Sequence, residues 1–170
     1  MTTATAPART ECACSTCQSY CQHVPGWFLP DEVALAAAAM RLSVHEFFRR
    51  YLTVDYWCAD SESPRDIFVL RPRTEAETPG NVAPYDLRGS GCIFYVGGRC
   101  GIHANKPHEC ATARCDIEQP EDWHLQTARA WVGREQVVCG LLGKEPGRPA
   151  PSMIDAMSMM FEAFGLNNEE

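Results

Sequence analysis

Eight of the ten cysteines in this chain of 170 residues fall in two tight groups. The first is Cys12, Cys14, Cys17 and Cys21, and the second is Cys92, Cys100, Cys110 and Cys115. Core cysteines scatter singly, whereas thiols with short gaps between them converge on something. In a reducing compartment that something is a metal ion or cluster rather than a disulfide.

The stretch from Met1 to Thr10 is rich in Thr, Ala and Pro, without the basic start and apolar stretch of a secretory signal. No run approaches the ~18 apolar residues of a membrane span. The expectation is therefore a cytoplasmic protein. Net charge is −7. Arg49-Arg50 and Arg71-Pro72-Arg73 are too small for a nucleic-acid footprint, so neither nucleic acid nor membrane is expected as a partner. The length suits one domain with a core of its own, so metal need not supply all of the stability.

Residues 1–10 are read as a disordered N-terminus, 11–143 as the cysteine-cluster domain, 144–151 as a Pro/Gly-rich linker and 152–170 as a C-terminal helix packed on the domain. Within the domain, Pro30 to Leu42 reads as a helix with Asp31 and Glu32 in its first turn. Ala34, Leu35, Ala38 and Leu42 recur at helical spacing on one side. Ser43-Val44-His45-Glu46 is a capping box opening a second helix to about Asp55, with Phe47, Tyr51 and Val54 facing inward and Arg49-Arg50 outward. Residues 66–72 read as a strand. Two apolar runs around Gly97-Gly98 predict a hairpin. Pro120 opens a long helix to about Leu142, with Leu125, Ala128, Val132 and Val137 buried and Trp131 beside them. Ser152 caps a last helix, whose Met157, Met160, Phe161 and Phe164 form a core or partner-docking stripe. The fold class expected is a small single α+β domain, several helices around a short β-hairpin, with a Cys-rich metal centre.

Thiolate sulfur is soft and suits zinc or iron–sulfur clusters, not calcium or magnesium. Cys14-Ser15-Thr16-Cys17 is a C-x2-C clip, and on a helical turn positions 14, 17 and 21 share a face. No second C-x2-C, no ferredoxin run and no H-E-x-x-H is present. Spacing thus points to metal without saying which. The hairpin adds a constraint. A two-residue loop sets Tyr95 opposite Cys100 and sends Cys92 and Cys100 to opposite faces; a three-residue loop leaves them about 13 Å apart at ~3.3 Å per residue. Either the turn is irregular or the two cysteines serve separate centres. Cys58 and Cys139, isolated in apolar segments, are expected to be buried. His23, His103 and His108 are read as surface or capping residues, with His103 the best placed to be a ligand. Trp27 and Tyr95 are expected to pack around the centre, and Lys106-Pro107 to form a rigid turn.

Two segments resemble a known family, the small bacterial cysteine-cluster proteins of the CxxCxxCC, or YkgJ, type, to which zinc or iron chelation is ascribed. The helix start Leu29-Pro30-Asp31-Glu32 follows the first cysteine group, as it does there. The run Cys92-Ile93-Phe94-Tyr95, a Gly-Gly turn, then Cys100-Gly101-Ile102-His103-Ala104-Asn105-Lys106-Pro107-His108-Glu109-Cys110 is the more specific match. The family's adjacent Cys-Cys is Tyr20-Cys21 here, its Arg-Pro is Lys106-Pro107, and the arginine after its last cysteine is Ala111. The resemblance implies a ligand role for Cys14, Cys17, Cys21, Cys92, Cys100 and Cys110. Cys12 and Cys115 join them by proximity.

The function expected is a metal-binding protein holding an iron–sulfur cluster (4Fe-4S) or zinc. The number of thiols favours iron–sulfur. One branch of the family resembles flagellin lysine N-methylase, which implies methyl transfer as an alternative. A third possibility is a zinc-stabilised module whose Met/Phe helix docks a protein partner.

Overall fold

The computed structural model describes residues 18–19, 22–23, 25–58, 65–84, 91–113 and 122–149. Helix α1 spans Pro30–Ala39 and α2 spans Val44–Tyr51. Strands β1 (Leu52–Trp57) and β2 (Ile67–Pro72) pair antiparallel, Leu52 opposite Pro72 and Trp57 opposite Ile67. A small hairpin, β3 (Tyr95–Val96) with β4 (Arg99–Cys100), follows. A 3-10 turn at His103–Asn105 leads to α3 (His108–Thr112), α4 (Trp123–Arg129) and α5 (Glu135–Leu142). This is a small α+β architecture. Among the described residues no helix is long and apolar enough to cross a membrane.

Local chemistry sets the helix starts. The Ser43 hydroxyl accepts the Glu46 N–H at 3.2 Å, and Glu46 Oε2 accepts the Ser43 N–H at 3.0 Å. Two of the orphan donors at the start of α2 are thereby satisfied. At α1, Pro30 pre-sets φ and Glu32 Oε2 accepts the Leu29 N–H at 3.0 Å.

Helix α2 ends at Tyr51 rather than near Asp55, and the chain passes directly into β1. Leu52 and Val54 satisfy a helical stripe and a strand alternation equally well. The β-branched and aromatic content of Thr53, Val54, Tyr56 and Trp57, and pairing with β2, decide for the strand. Both edges of this ribbon are covered. Beside β1, the Val54 N–H bonds to Asn81 O at 2.8 Å and the Ala83 N–H to Val54 O at 2.7 Å. Beside β2, the Phe28 N–H bonds to Leu70 O at 2.9 Å. Exposed ladder groups are thereby removed from solvent.

The expected long helix from Pro120 to Leu142 is two helices, broken at Gly133, whose φ is +78°. The break rotates the second half. Trp131 (1% exposed), Val138 and Leu141 turn inward, while Val132 and Val137, expected to be buried, are 61% and 43% exposed. Leu125 and Ala128 are buried as expected. In α1 the buried face is Val33, Ala36 and Ala37, and the side carrying Ala34, Leu35 and Ala38 faces out. Because alanine is common on both sides of α1, periodicity could not fix its rotation.

The core joins Phe28, Phe47, Phe48, Leu52, Val54, Val69, Leu70, Phe94 and Trp131. Phe47 stacks on Phe94 with ring centres 6.1 Å apart and meets Phe28 edge-on at 6.3 Å. The Trp131 indole donates to Phe28 O at 2.8 Å, so its buried N–H is satisfied. Helices α4 and α5 pack on β2, and α3 packs on α4. The C-terminal helix expected at 152–164, with its Met/Phe stripe, lies outside the described residues, as do residues 1–10.

Candidate metal centre

The segment Pro25–Leu29 runs as a strap between the core and α3. Gly26 and Trp27 donate consecutive N–H groups to consecutive residues of α3. The Gly26 N–H bonds to Cys110 Sγ at 3.2 Å, and the Trp27 N–H bonds to Glu109 Oε2 at 2.8 Å. The approach is so close that a Cβ on Gly26 would lie 2.8 Å from Cys110 N and 2.9 Å from Cys110 Sγ. Only glycine fits there. Glu32 ties the same helix from outside, its Oε2 accepting the His108 N–H at 2.8 Å.

A second contact brings the two cysteine groups' surroundings together. A Cβ built on Gly91 would lie 3.6 Å from the Gln22 carbonyl oxygen. Gln22 directly follows Cys21, and Gly91 directly precedes Cys92. Gln18, Ser19, Gln22 and His23 have helical backbone.

Cys92 is buried and hangs on an extension of β2. Its residue bridges Thr74, with the Ile93 N–H on Arg73 O at 3.0 Å and the Glu75 N–H on Gly91 O at 3.0 Å. The Gly97-Gly98 loop is the two-residue type, with φ of +58° and +79° and Tyr95 opposite Cys100. Yet the strand does not continue back to Cys92. A turn closes there, the Tyr95 N–H bonding to Cys92 O at 2.8 Å. The alternation of faces and the separation expected along a strand both require an extended path, so neither constrains the pair.

Cys100, the last residue of β4, is half-buried. Burial pushes its thiol pKa up, against a hydrogen bond from the Ile102 backbone and the Lys106 charge, which favour the thiolate. Two described cysteines, Cys100 and Cys110, thus have a backbone N–H directed at sulfur. A thiolate ligand uses such donors to spread its charge. Cys92, Cys100 and Cys110 offer soft sulfur of the kind that zinc and iron–sulfur clusters take.

Cys12, Cys14, Cys17, Cys21 and Cys115 lie outside the described residues. Among the described residues no three His, Cys, Asp or Glu side chains form a metal-holding group. Cys58 is exposed, against expectation, because it falls just past the end of β1; Cys139 is half-buried.

Glu109 and His124 are side chains at the site that the sequence pattern does not single out. Glu109 is 1% exposed, and its Oε1 lies 3.0 Å from His124 Nδ1. Adjacency to Cys110 is the one sequence signal for Glu109. Nothing in the sequence points to His124, because its partner is reached through tertiary packing. Trp27 lies beside this pair. Its indole donates to Asp55 Oδ2 at 3.1 Å, and its ring meets Trp57 edge-on at 6.5 Å.

Comparison with protein-family models, with curated proteins and with solved structures gives no match.

Proposed function

We propose that this chain is a metal-binding protein of the YkgJ type. In this reading thiolates of Cys12, Cys14, Cys17, Cys21, Cys92, Cys100, Cys110 and Cys115 coordinate a 4Fe-4S cluster or zinc in the cytoplasm. The single observation that carries it is the Gly26 N–H on Cys110 Sγ at 3.2 Å, in a contact too close for any side chain on Gly26. It ties the chain just after the first cysteine group to a sulfur of the second. The Gln22 contact at Gly91 supports the same meeting of the two groups. The spacing of Cys14, Cys17 and Cys21 suits one helical face, and the helical backbone at Gln18, Ser19, Gln22 and His23 agrees with that. A centre bridging the groups would close a long chain loop. Metal bound only by the folded form would then add its binding free energy to stability.

The test is elemental analysis and an absorption spectrum of anaerobically prepared protein, beside a Cys14→Ser, Cys17→Ser variant and a Cys110→Ser variant. A brown wild type with iron and sulfide identifies a cluster, and a colourless one with zinc identifies a zinc site. Both variants should lose metal. Undiminished metal in either removes that group from the ligand set, and a metal-free wild type ends the proposal.

A further inference from the structure

Thr74, just past the end of β2, stands directly opposite Cys92. The bonds flanking the pair run from the Glu75 N–H to Gly91 O and from the Ile93 N–H to Arg73 O, at 3.0 Å each. They make it the narrow, non-hydrogen-bonded kind of antiparallel pair. Side chains of such a pair share a face, with Cβ atoms roughly 4.5–5.5 Å apart. Thr74 is 3% exposed and Cys92 8%. The buried Thr74 hydroxyl has no hydrogen-bond partner among the described residues.

That hydroxyl is passed over by its own surroundings. Thr74-Glu75-Ala76-Glu77 is a capping-box pattern, and half of the box is made, with Glu77 Oε2 accepting the Thr74 N–H at 2.7 Å. In the other half the hydroxyl would accept the Glu77 N–H, but that N–H goes to the Thr74 carbonyl at 3.3 Å. The Glu77 carboxylate is also gripped by Arg71, and the Thr74 carbonyl takes Arg73 Nη1 at 2.8 Å. The Thr74 backbone is thus pinned on both sides. A buried hydroxyl without a partner destabilises a fold, and a valine of the same shape would avoid the cost. Beside a thiolate the balance reverses. A hydroxyl can donate, and a buried sulfur anion needs donors.

We propose that Thr74 is a positioning residue for Cys92, its hydroxyl donating to Sγ once that thiol is ionised; the inference rests on the metal-binding reading above and, of its ligands, invokes Cys92 alone. On binding metal Cys92 loses its proton to solvent, which leaves negative charge on a buried sulfur. At this Cβ separation a turn about the Thr74 Cα–Cβ bond is enough to set the hydroxyl toward the sulfur. The hydroxyl then spreads the thiolate's charge, as outer partners of metal ligands do. It therefore destabilises the metal-free fold and stabilises the loaded one.

The tests are urea unfolding of the reduced, metal-free full chain and cobalt(II) titration read by absorption, on wild type, Thr74→Val and Thr74→Ser. Without metal, Thr74→Val should unfold at a higher urea concentration than wild type. It should nevertheless bind cobalt about 10- to 100-fold more weakly, with the sulfur-to-cobalt charge-transfer band moved to longer wavelength. Thr74→Ser keeps the hydroxyl and should restore wild-type affinity and band position. A packing role alone cannot move stability and affinity in opposite directions. Cobalt binding by Thr74→Val equal to wild type overturns the inference and leaves the thiolate centre standing. So does a Thr74→Ser that binds as weakly as Thr74→Val, or a metal-free Thr74→Val less stable than wild type. A wild type that takes up no cobalt overturns both readings. Should Thr74→Val fail to fold, Thr74→Ala removes the same hydroxyl, and its affinity and band position against those of Thr74→Ser decide the matter.

Discussion

The backbone N–H of Gly26 points at Cys110 Sγ from 3.2 Å, across 84 residues of sequence. Nothing local brings these two together. The strap that carries Gly26 is pinned on both sides, by Phe28 N–H on Leu70 O and by Trp27 N–H on Glu109. Gly26→Ala therefore cannot relax by moving the strap. The added methyl meets Cys110 N and the Glu109 Cβ at 2.8 Å, neither of which is a flexible side-chain end. The variant should lose about 1–3 kcal/mol in urea unfolding, the usual cost of overpacking. Metal content should fall with it. An unchanged unfolding midpoint would show that the strap does not sit against α3.

Arg71, next to the Leu70 that holds the strap, organises a buried charge cluster on the β1–β2 ribbon. Its guanidinium makes a two-pronged contact with Glu77, at 2.6 and 2.8 Å, and reaches Asp55 Oδ2 at 2.6 Å. Burial works against this charge, but the Glu77 hydrogen bonds and the Asp55 and Glu77 charges outweigh it and push the pKa above its ordinary value. Arg71→Met leaves Glu77, 4% exposed, as an uncompensated buried carboxylate. The expected loss is about 3–5 kcal/mol, and Glu77→Gln in the same background should recover part of it. Thermal unfolding of the two single variants and the double variant checks the coupling. Additive losses would refute it.

In the metal-free chain Cys100 should behave as a shielded, protonated thiol. Burial raises its pKa, with the Ile102 N–H and Lys106 opposing. Below the ordinary thiol value both folded and unfolded forms are protonated, and the raised pKa costs nothing. As pH rises, the unfolded chain ionises first, so stability falls until the folded thiol also ionises. Alkylation read by mass spectrometry should label exposed Cys58 first, with Cys100 following only at more alkaline pH. Removing the thiol in Cys100→Ala should flatten the alkaline loss of stability. Equal labelling of Cys58 and Cys100 at neutral pH would contradict this.

Features decided within a few residues are legible in the sequence. The Ser43 and Glu46 capping box, the strand ending at Pro72 and the tight Gly97-Gly98 turn each depend on local chemistry, and each is present. Features decided by packing are not. Leu52 and Val54 fit two periodicities, and only the partner β2 selects the strand. Val132 and Val137 fit a continuous helix, and only the break at Gly133 turns them outward. The candidate site divides the same way. Its cysteines announce themselves by clustering, but the Glu109–His124 pair is assembled from two helices and leaves no pattern along the chain.

Glu32 shows how one local residue can serve both levels. Within α1 it takes the Leu29 N–H at 3.0 Å, a helix-start contact readable from Leu29-Pro30-Asp31-Glu32. The same oxygen takes the His108 N–H at 2.8 Å, at the first residue of α3, two positions before Cys110. Glu32→Ala therefore removes a cap from α1 and an anchor from α3 at once. The first loss costs about 0.5–2 kcal/mol in helix stability. The second should loosen α3 against the strap, so amide exchange of Cys110 and Ala111 should quicken more than that of Ala36 and Ala37 in the middle of α1. Glu32→Gln keeps one acceptor oxygen and should recover much of both effects. If exchange in α3 is untouched while α1 is weakened, Glu32 acts on its own helix alone, and the hold on the Cys110 segment rests on Gly26 and Trp27.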